Sequence, residues 1–170
     1  MFQETQKIID YFENLDAKRG NIVRNTEKGI FGTSDLYIID KFFHKIGLVN
    51  KKHFVDIGSG DGRVNILASN YTKSTGIEID TELVKESIEH NLILGTNAEF
   101  VHQDYEEFSF RKVDLIFSFA DHFFTDKFIE KLKKEFKGTL YVYEGVFLPE
   151  DIKKGPNIWI DQTKIISYEF

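Results

Sequence analysis

The stretch Val55-Asp56-Ile57-Gly58-Ser59-Gly60-Asp61-Gly62-Arg63 decides the fold of this chain. The apolar run 53–57 is short and ends at a glycine, which is typical of a buried strand, and residues 62–70 continue as a helix. Three alternate glycines at such a turn let backbone N–H groups approach a ligand at the carboxyl end of the strand. Because alternate glycines cost conformational entropy unless close approach is needed, we predict a ligand site rather than a plain turn.

The residues around these glycines restrict the kind of ligand. A nicotinamide or flavin dinucleotide would require Gly-x-Gly-x-x-Gly, and Arg63 stands where the third glycine should be. A P-loop is excluded because no Gly-Lys-Ser/Thr follows. Asp56 and Asp61 suit an anionic pyrophosphate poorly and favour a cationic group, such as an ammonium or a sulfonium.

Acidic residues follow the next two predicted strands. Glu78 ends the second strand, where a carboxylate can accept from ribose hydroxyls. Asp80, two residues on, is interpreted as a turn residue before a helix capped by Thr81. After the third strand, Asp104 can accept from the exocyclic amine of adenine and Tyr105 can pack on its ring. The alternative for Asp104 and Tyr105 is a surface loop within an acidic run.

Strands and helices alternate along the chain, which predicts an α/β fold of three layers, with a doubly wound, mostly parallel sheet between helices. The predicted strands are 53–57, 75–79, 98–102, 113–119 and 139–143, followed by a C-terminal antiparallel pair at 158–160 and 164–170. The predicted helices are 3–15, 36–46, 62–70, 81–94 and 126–137, with Leu83, Val84, Ile88 and Leu92 as the apolar face of the fourth. Residues 1–170 are predicted to form one domain, in which 1–32 comprise an N-terminal helix and a loop.

Composition excludes several classes of protein. The 170 residues contain no Cys, which removes disulfides and thiolate metal sites, and the five His show no ligand spacing, so no metal site is expected. The chain has 22 basic and 28 acidic residues, and residues 54–110 alone hold 11 acidic against 3 basic. This charge disfavours a general nucleic-acid binder. No apolar run reaches the about 20 residues of a membrane span, so we expect a cytoplasmic protein without membrane contact.

These motifs resemble those of the class I, seven-strand S-adenosylmethionine-dependent methyltransferases. The glycine stretch 55–62 matches the first motif of the family, 76–80 the second and 104–105 the third. The resemblance implies S-adenosyl-L-methionine as cofactor and a Rossmann-like sheet of order 3-2-1-4-5-7-6 with strand 7 antiparallel. The implied cofactor-binding residues are Asp56, Gly58, Ser59, Gly60, Gly62, Arg63, Glu78, Ile79, Asp104, Tyr105 and Ser118.

A narrower resemblance concerns the segment before the second helix. The run Gly-Ser-Gly-Asp-Gly-Arg, the turn at 33–35 and the small size of the chain are similar to the compact archaeal-type protein lysine methyltransferases. In those proteins the turn before the first helix of the domain covers the cofactor. The resemblance implies that Phe31, Gly32 and Thr33 do so here.

The acceptor side of the site is predicted after the fourth strand, in residues 117–124. Methyl transfer is an in-line displacement, in which an enzyme positions the nucleophile and removes its proton where needed. Asp121 and His122 are the candidate catalytic residues for that task. The alternative is that Asp121 starts a turn before a helix capped by Thr125 and that His122 is merely exposed. Glu144, after the fifth strand, could receive a cationic acceptor.

Three hypotheses on the methyl acceptor follow. The leading one is a protein amine, such as a lysine, or a small molecule. An RNA acceptor would use the mildly basic residues Lys18, Arg19, Arg24 and Lys28. A catalytically silent partner subunit with the same fold is the third. Methylation at C5 of a pyrimidine is excluded because it needs a cysteine nucleophile. Methyltransferases that act on the amino groups of adenine and guanine usually carry an Asn/Asp-Pro-Pro-aromatic run after the fourth strand. Residues 118–121 contain no proline, which argues against a nucleobase amine as the acceptor.

Overall fold

The computed structural model describes residues 2–20, 23–26, 28–143, 145, 147–149 and 152–170, so the expectation for Glu144 lies outside the described residues. The helices are α1 (Phe2–Arg19), α2 (Leu36–Lys45), α3 (Arg63–Ala68), α4 (Thr81–Leu94) and α5 (Asp126–Glu135). The strands are β1 (Val23–Asn25), β2 (Ile30–Gly32), β3 (His53–Ile57), β4 (Lys73–Glu78), β5 (Glu99–His102), β6 (Leu115–Ser118), β7 (Thr139–Tyr143), β8 (Ile158–Ile160) and β9 (Thr163–Glu169).

Seven of these strands form the central sheet, in the order β5-β4-β3-β6-β7-β9-β8. The first five run parallel, and β9 pairs antiparallel with both β7 and β8. Numbered from β3, this is the order 3-2-1-4-5-7-6, so the predicted fold class and strand order are confirmed. The order reverses between β3 and β6, and open α/β sheets bind ligands at the carboxyl ends of the strands on either side of such a point.

Two apolar cores cover the two faces of the sheet, which gives the three layers. One core packs α1, α2 and α3 on the sheet, with Phe12, Phe43 and Phe54 fully or almost fully buried. The other packs α5 on the opposite face, around Phe128 and Ile116. Every residue of β6 is buried, as expected for a strand covered on both faces.

Side-chain caps fix where the helices start. Asp35 caps α2 by accepting from the backbone N–H groups of residues 37 and 38, and Thr125 accepts from that of Phe128, as predicted for the fifth helix. The predicted cap of the fourth helix was wrong by one residue. Asp80 accepts from the N–H groups of residues 82 and 83, and Thr81 is the first helical residue. The short polar segment before β6 contains a single 3₁₀ turn, Tyr105–Glu107, and no α-helix is predicted or found in it.

Two local predictions fail wholly or in part for identifiable reasons. The segment predicted as a plain loop before α2 contains the antiparallel pair β1 and β2, because three-residue strands are too short to show periodicity. The predicted apolar face of α4 is correct only in its first turn: Leu83 and Val84 are buried, whereas Ile88 is 45% exposed and Leu92 76% exposed. From there the buried face continues through Ser87 and His90, and the Nδ1 of His90 lies 2.8 Å from the hydroxyl of Tyr11 of α1.

Among the described residues, none of the helices combines the length and the apolar character that a bilayer crossing requires.

Candidate active site

A cavity of about 360 Å³ opens at the carboxyl ends of β3, β4 and β6, below strand β2. Its size lies within the range of small-molecule sites. The residues predicted for the cofactor that line it are Phe31, Gly32, Asp56, Gly58, Ser59, Gly60, Arg63, Glu78, Ile79, Asp104, Tyr105 and Ser118. Both candidate catalytic residues, Asp121 and His122, line it too. Gly62 and Thr33 do not.

The glycine loop has a backbone that disfavours other residues. Gly58, Gly60 and Gly62 have φ angles of 72°, 57° and 80°. A Cβ on Gly58 would meet no atom within 4 Å, which leaves room for a ligand against the backbone, whereas a Cβ on Gly60 would lie 2.6 Å from the Phe31 ring. Gly62 serves packing instead, since a Cβ there would lie 2.6 Å from Phe100.

Glu78 fixes the shape of this loop from the end of β4. Its Oε2 accepts from the backbone N–H of Gly60 at 2.9 Å, and its Oε1 accepts from those of Ile79 and Asp80 at 2.8 and 2.9 Å. A carboxylate offers about four acceptor positions, so about one stays free. That free position fits one ribose hydroxyl, whereas the sequence had suggested that Glu78 could accept from both ribose hydroxyls.

Asp56 supplies the observation that fits a cationic ligand. Its side chain is 3% exposed, and it has no hydrogen-bond partner among the described residues. Burial, together with the nearby charge of Glu78, raises the pKa of the Asp56 carboxyl well above its ordinary value. A ligand ammonium in the cavity would stabilise the ionised form of this carboxyl. The donor set and the open glycine backbone therefore fit S-adenosylmethionine, which carries an ammonium, a sulfonium and a ribose.

Replacing Asp56 with Asn should stabilise the ligand-free protein and weaken its binding of S-adenosylhomocysteine. An unpartnered buried charge costs about 1–3 kcal/mol, which corresponds to about 2–4 °C in Tm per kcal/mol for a chain of this size. Thermal denaturation and isothermal titration check the two effects separately. A variant that is less stable and binds as tightly as the wild type would contradict the assignment.

The same carboxyl predicts a pH dependence. The folded protein binds the Asp56 proton at higher pH than the unfolded chain does, so this group's contribution to stability falls as the pH rises between the two pKa values. Asp56→Asn should remove that component from denaturation curves measured at several pH values. In the wild type, acidification should weaken ligand binding, because a protonated Asp56 cannot pair with an ammonium. In Asp56→Asn this dependence of affinity on pH should be absent.

Arg63 performs a different task from the one suggested by its position in the motif. Its guanidinium is bonded to Asp61, with Nη2–Oδ2 at 2.8 Å, and to Asp16 of α1 through Nη1 and Nη2 at 2.8 and 2.9 Å. It also lies over the ring of Phe12, 4.9 Å from its centroid. Arg63 is 4% and Asp61 0% exposed. The arginine therefore ties the glycine loop to α1, and Asp61 is neutralised by it.

The acceptor side is formed by the loop after β6. The Oδ1 of Asp121 lies 2.5 Å from Nδ1 of His122, and the Nε2 of His122 lies 3.2 Å from the hydroxyl of Tyr105. Burial, with smaller contributions from nearby acidic residues, raises the pKa of Tyr105 to about 12, so its hydroxyl stays protonated at neutral pH. Phe119 packs edge-on against Tyr143, and the exposed Phe123 against Phe147, at 5.1 and 5.0 Å between ring centroids.

Sequence reasoning missed the residues that strands β1 and β2 bring to the cavity. Thr26, Lys28, Gly29 and Ile30 line it together with the predicted Phe31. The available signal was the turn-forming composition of residues 25–29 between two short apolar pairs. The described residues hold no group of three or more His, Cys, Asp or Glu arranged to bind a metal.

Comparison with known proteins agrees with this geometry. The sequence model of the family described as "Methyltransferase domain" matches residues 54–141, more than half of the chain. A search among curated proteins found no match.

Solved structures share the fold. An RNA methyltransferase from Salinibacter ruber, in complex with S-adenosyl-L-homocysteine, is 18% identical, with 81% of this chain and 92% of that chain covered and a TM-score of 0.67. A SAM-dependent methyltransferase from Aquifex aeolicus is 20% identical, with 77% and 88% covered and a TM-score of 0.61. The tRNA (uracil-54, C5)-methyltransferase from Pyrococcus abyssi is 12% identical, with 84% and 42% covered and a TM-score of 0.63.

The broad resemblance seen in the sequence is thus confirmed, while the narrower one to archaeal-type lysine methyltransferases stays a prediction. At identities of 20% and below, the solved structures establish the fold alone, and the family match adds the class of protein. The chain belongs to the methyltransferase domain family, the S-adenosylmethionine-dependent methyltransferases with a Rossmann-like seven-stranded sheet.

Proposed function

We propose that this chain methylates an amine, either a protein lysine or a small molecule, with S-adenosylmethionine bound on the glycine loop. The observation that carries the proposal is the charge of the cavity. The acidic residues that line it are Asp56, Asp61, Glu78, Asp104, Glu106 and Asp121; the basic ones are Lys28 and Arg63. Arg63 and Asp61 neutralise each other, and Glu106 pairs with Lys127 at 2.7 Å. The remaining acidic residues still outnumber Lys28, so the cavity favours a cationic acceptor.

The cofactor-binding roles in this proposal follow from position. Glu78 would accept from the ribose, Asp56 would face the ammonium, and the backbone of Gly58 and Gly60 would border the methionine moiety. Asp104, whose Oδ1 also accepts from the backbone N–H of residue 106 at 2.8 Å, lies with Tyr105 where adenine would bind. When bound, S-adenosylmethionine supplies an electrophilic methyl group.

On the acceptor side, a residue of the chain must remove a proton from the acceptor. An amine arrives as an ammonium and has no lone pair until it is deprotonated. His122 is the proposed base, because Asp121, an acceptor-only group, requires the proton of a neutral imidazole to sit on Nδ1 and leaves Nε2 as the basic atom. The aromatic side chain of Phe119, which lines the cavity, can pack on the stem of a lysine or stabilise its charge.

The structure offers less support for an RNA acceptor. The positive charge that would contact phosphates is partly neutralised, since Arg19 and Arg24 both pair with Glu86, at 3.2 and 2.7 Å. RNA affinity that falls steeply with salt would nevertheless favour that alternative. The RNA methyltransferase of Salinibacter ruber shares the fold with this chain, and fold alone does not select an acceptor.

Labelled methyl transfer tests the proposal. Incubation with methyl-labelled S-adenosylmethionine and a cell extract should place the label in protein or in small amines, and His122→Asn should reduce incorporation about 10²–10⁴-fold, as expected for the loss of a general base. Label that ribonuclease releases would contradict an amine acceptor. Binding of S-adenosylhomocysteine without any incorporation would instead indicate a silent partner subunit.

A further inference from the structure

A single carboxylate joins strand β2 to the acceptor-side loop. The Oδ2 of Asp121 accepts from the backbone N–H of Ile30 at 2.9 Å, while its Oδ1 is bonded to His122. The Ile30 N–H is available because of the register of the hairpin strands. The N–H of Thr26 donates to the carbonyl of Gly29, so the next pair, Asn25 and Ile30, is a non-hydrogen-bonded pair whose N–H groups point outward.

Strand β2 lies over the glycine loop and is held from its other side as well. The ring of Phe31 rests on Gly60, and Arg24 of β1 lies over that ring, 5.0 Å from its centroid. The same guanidinium pairs with Glu86 of α4 at 2.7 Å. Strands β1 and β2 thus form a cover over the glycine loop. This cover is attached to α4 by Arg24 and to the loop after β6 by Asp121.

Gly29 makes the second attachment possible. Its φ is 156°, and a Cβ at this position would lie 2.3 Å from Oδ2 of Asp121. Only a residue without a side chain lets the backbone come this close to the carboxylate. Gly29 and Asp121 are therefore complementary, which indicates a specific attachment rather than an incidental contact.

We propose that Asp121 is a positioning residue that couples the cover over the cofactor to the orientation of His122. One oxygen holds strand β2 in place and the other fixes the tautomer of the imidazole. Displacing the carboxylate from Ile30 would free it to rotate and so release His122 as well. The proposal rests on the proposed function for the identity of the ligand, S-adenosylmethionine, while its geometry belongs to the chain itself.

The test uses S-adenosylhomocysteine as the probe and Asp121→Ala as the variant. We expect the variant to release S-adenosylhomocysteine about tenfold faster, as for the loss of one hydrogen bond to a charged group. Hydrogen exchange at the Ile30 amide should accelerate with and without ligand, and the ¹⁵N shifts of His122 should change from one tautomer to a mixture. Wild-type exchange at Ile30 together with wild-type release of the ligand would overturn the proposal.

Two further variants separate coupling from simple loosening. Arg24→Gln should accelerate ligand release without altering the His122 tautomer, because it loosens the cover at its other end. Gly29→Ala keeps the charge of Asp121 but displaces it, so it should reproduce both effects of Asp121→Ala. Gly20→Ala is the matched control, since Gly20 also has a positive φ of 71° but no atom lies within 4 Å of the added Cβ. An unchanged tautomer in Gly29→Ala would overturn the coupling.

Failure of this proposal can be told apart from failure of the proposed function. If the wild type does not bind S-adenosylhomocysteine, the cofactor assignment fails, and the exchange rate of the Ile30 amide in the free proteins still tests the attachment. If the ligand binds and Asp121→Ala leaves exchange, release and tautomer unchanged, only the coupling fails. Denaturation curves for each variant exclude unfolding as the cause of a difference.

Discussion

Arg63→Met should lower the free energy of unfolding by about 3–5 kcal/mol, the typical effect of removing one partner from a buried ion pair. The variant leaves Asp61, which is 0% exposed, buried without its counter-charge. It also removes the ion pair with Asp16 and the guanidinium that lies over the Phe12 ring. Urea denaturation followed by circular dichroism measures the loss. Because the carboxylate left behind must be protonated or exposed, the deficit should shrink as the pH falls.

A surface ion pair provides the control for Arg63. Lys41 and Asp161 lie 2.6 Å apart but are both more than half exposed, so Lys41→Met should change the stability by less than about 1 kcal/mol. The double variant Arg63→Met, Asp61→Asn should recover part of the lost stability, since it removes the unpaired buried charge of Asp61. A loss below 1 kcal/mol in Arg63→Met alone would show that the network contributes little.

Glu78→Ala should weaken the binding of S-adenosylhomocysteine about 100-fold. The variant removes the proposed ribose acceptor, and a hydrogen bond to a charged group is worth about 1.5–3 kcal/mol. It also releases the N–H of Gly60, so the glycine loop loses the contact that fixes its shape. Isothermal titration checks the affinity, and denaturation shows whether the protein remains folded.

Asp80→Asn is the matched control for Glu78. Asp80 is an acidic residue of similar burial two positions away, but its carboxylate caps α4 and does not line the cavity. Asn is about as good a cap as Asp, so both affinity and stability should stay close to the wild type. Equal weakening by both variants would mean that the charge of the region, rather than a contact of Glu78, governs binding.

The sequence contains enough information for the sheet and for the location of the cavity. Short runs of mainly apolar residues next to a glycine are typical of strands, so 53–57 and 139–143 were predicted to the residue. The strand order followed from the family resemblance carried by the glycine loop. The ligand-facing ends of parallel strands meet at one edge, which is why Glu78, Asp104 and Asp121 could be assigned to one site before any coordinates.

The remaining features depend on partners that are far away in sequence. Nothing near Arg63 indicates that Asp16, 47 residues earlier, takes its guanidinium. Likewise, the burial of His90 on α4 depends on Tyr11 of α1, so local apolar periodicity predicted Leu83 and Val84 correctly but Ile88 and Leu92 wrongly. The role of Asp121 was predicted as catalytic or as a turn, while its bond to Ile30 spans 91 residues and could not be inferred from spacing.

Helix α1 has a consequence for where this domain can be cut. The family match starts at residue 54, yet Asp16 and Phe12 complete the environment of an arginine inside the matched region. Ile8 and Ile9 add buried apolar surface to the same core. A fragment that begins at residue 54 would expose this apolar surface and leave Arg63 paired with Asp61 alone. For truncated variants or domain transplants, the unit that folds is therefore longer than the unit that sequence comparison recognises.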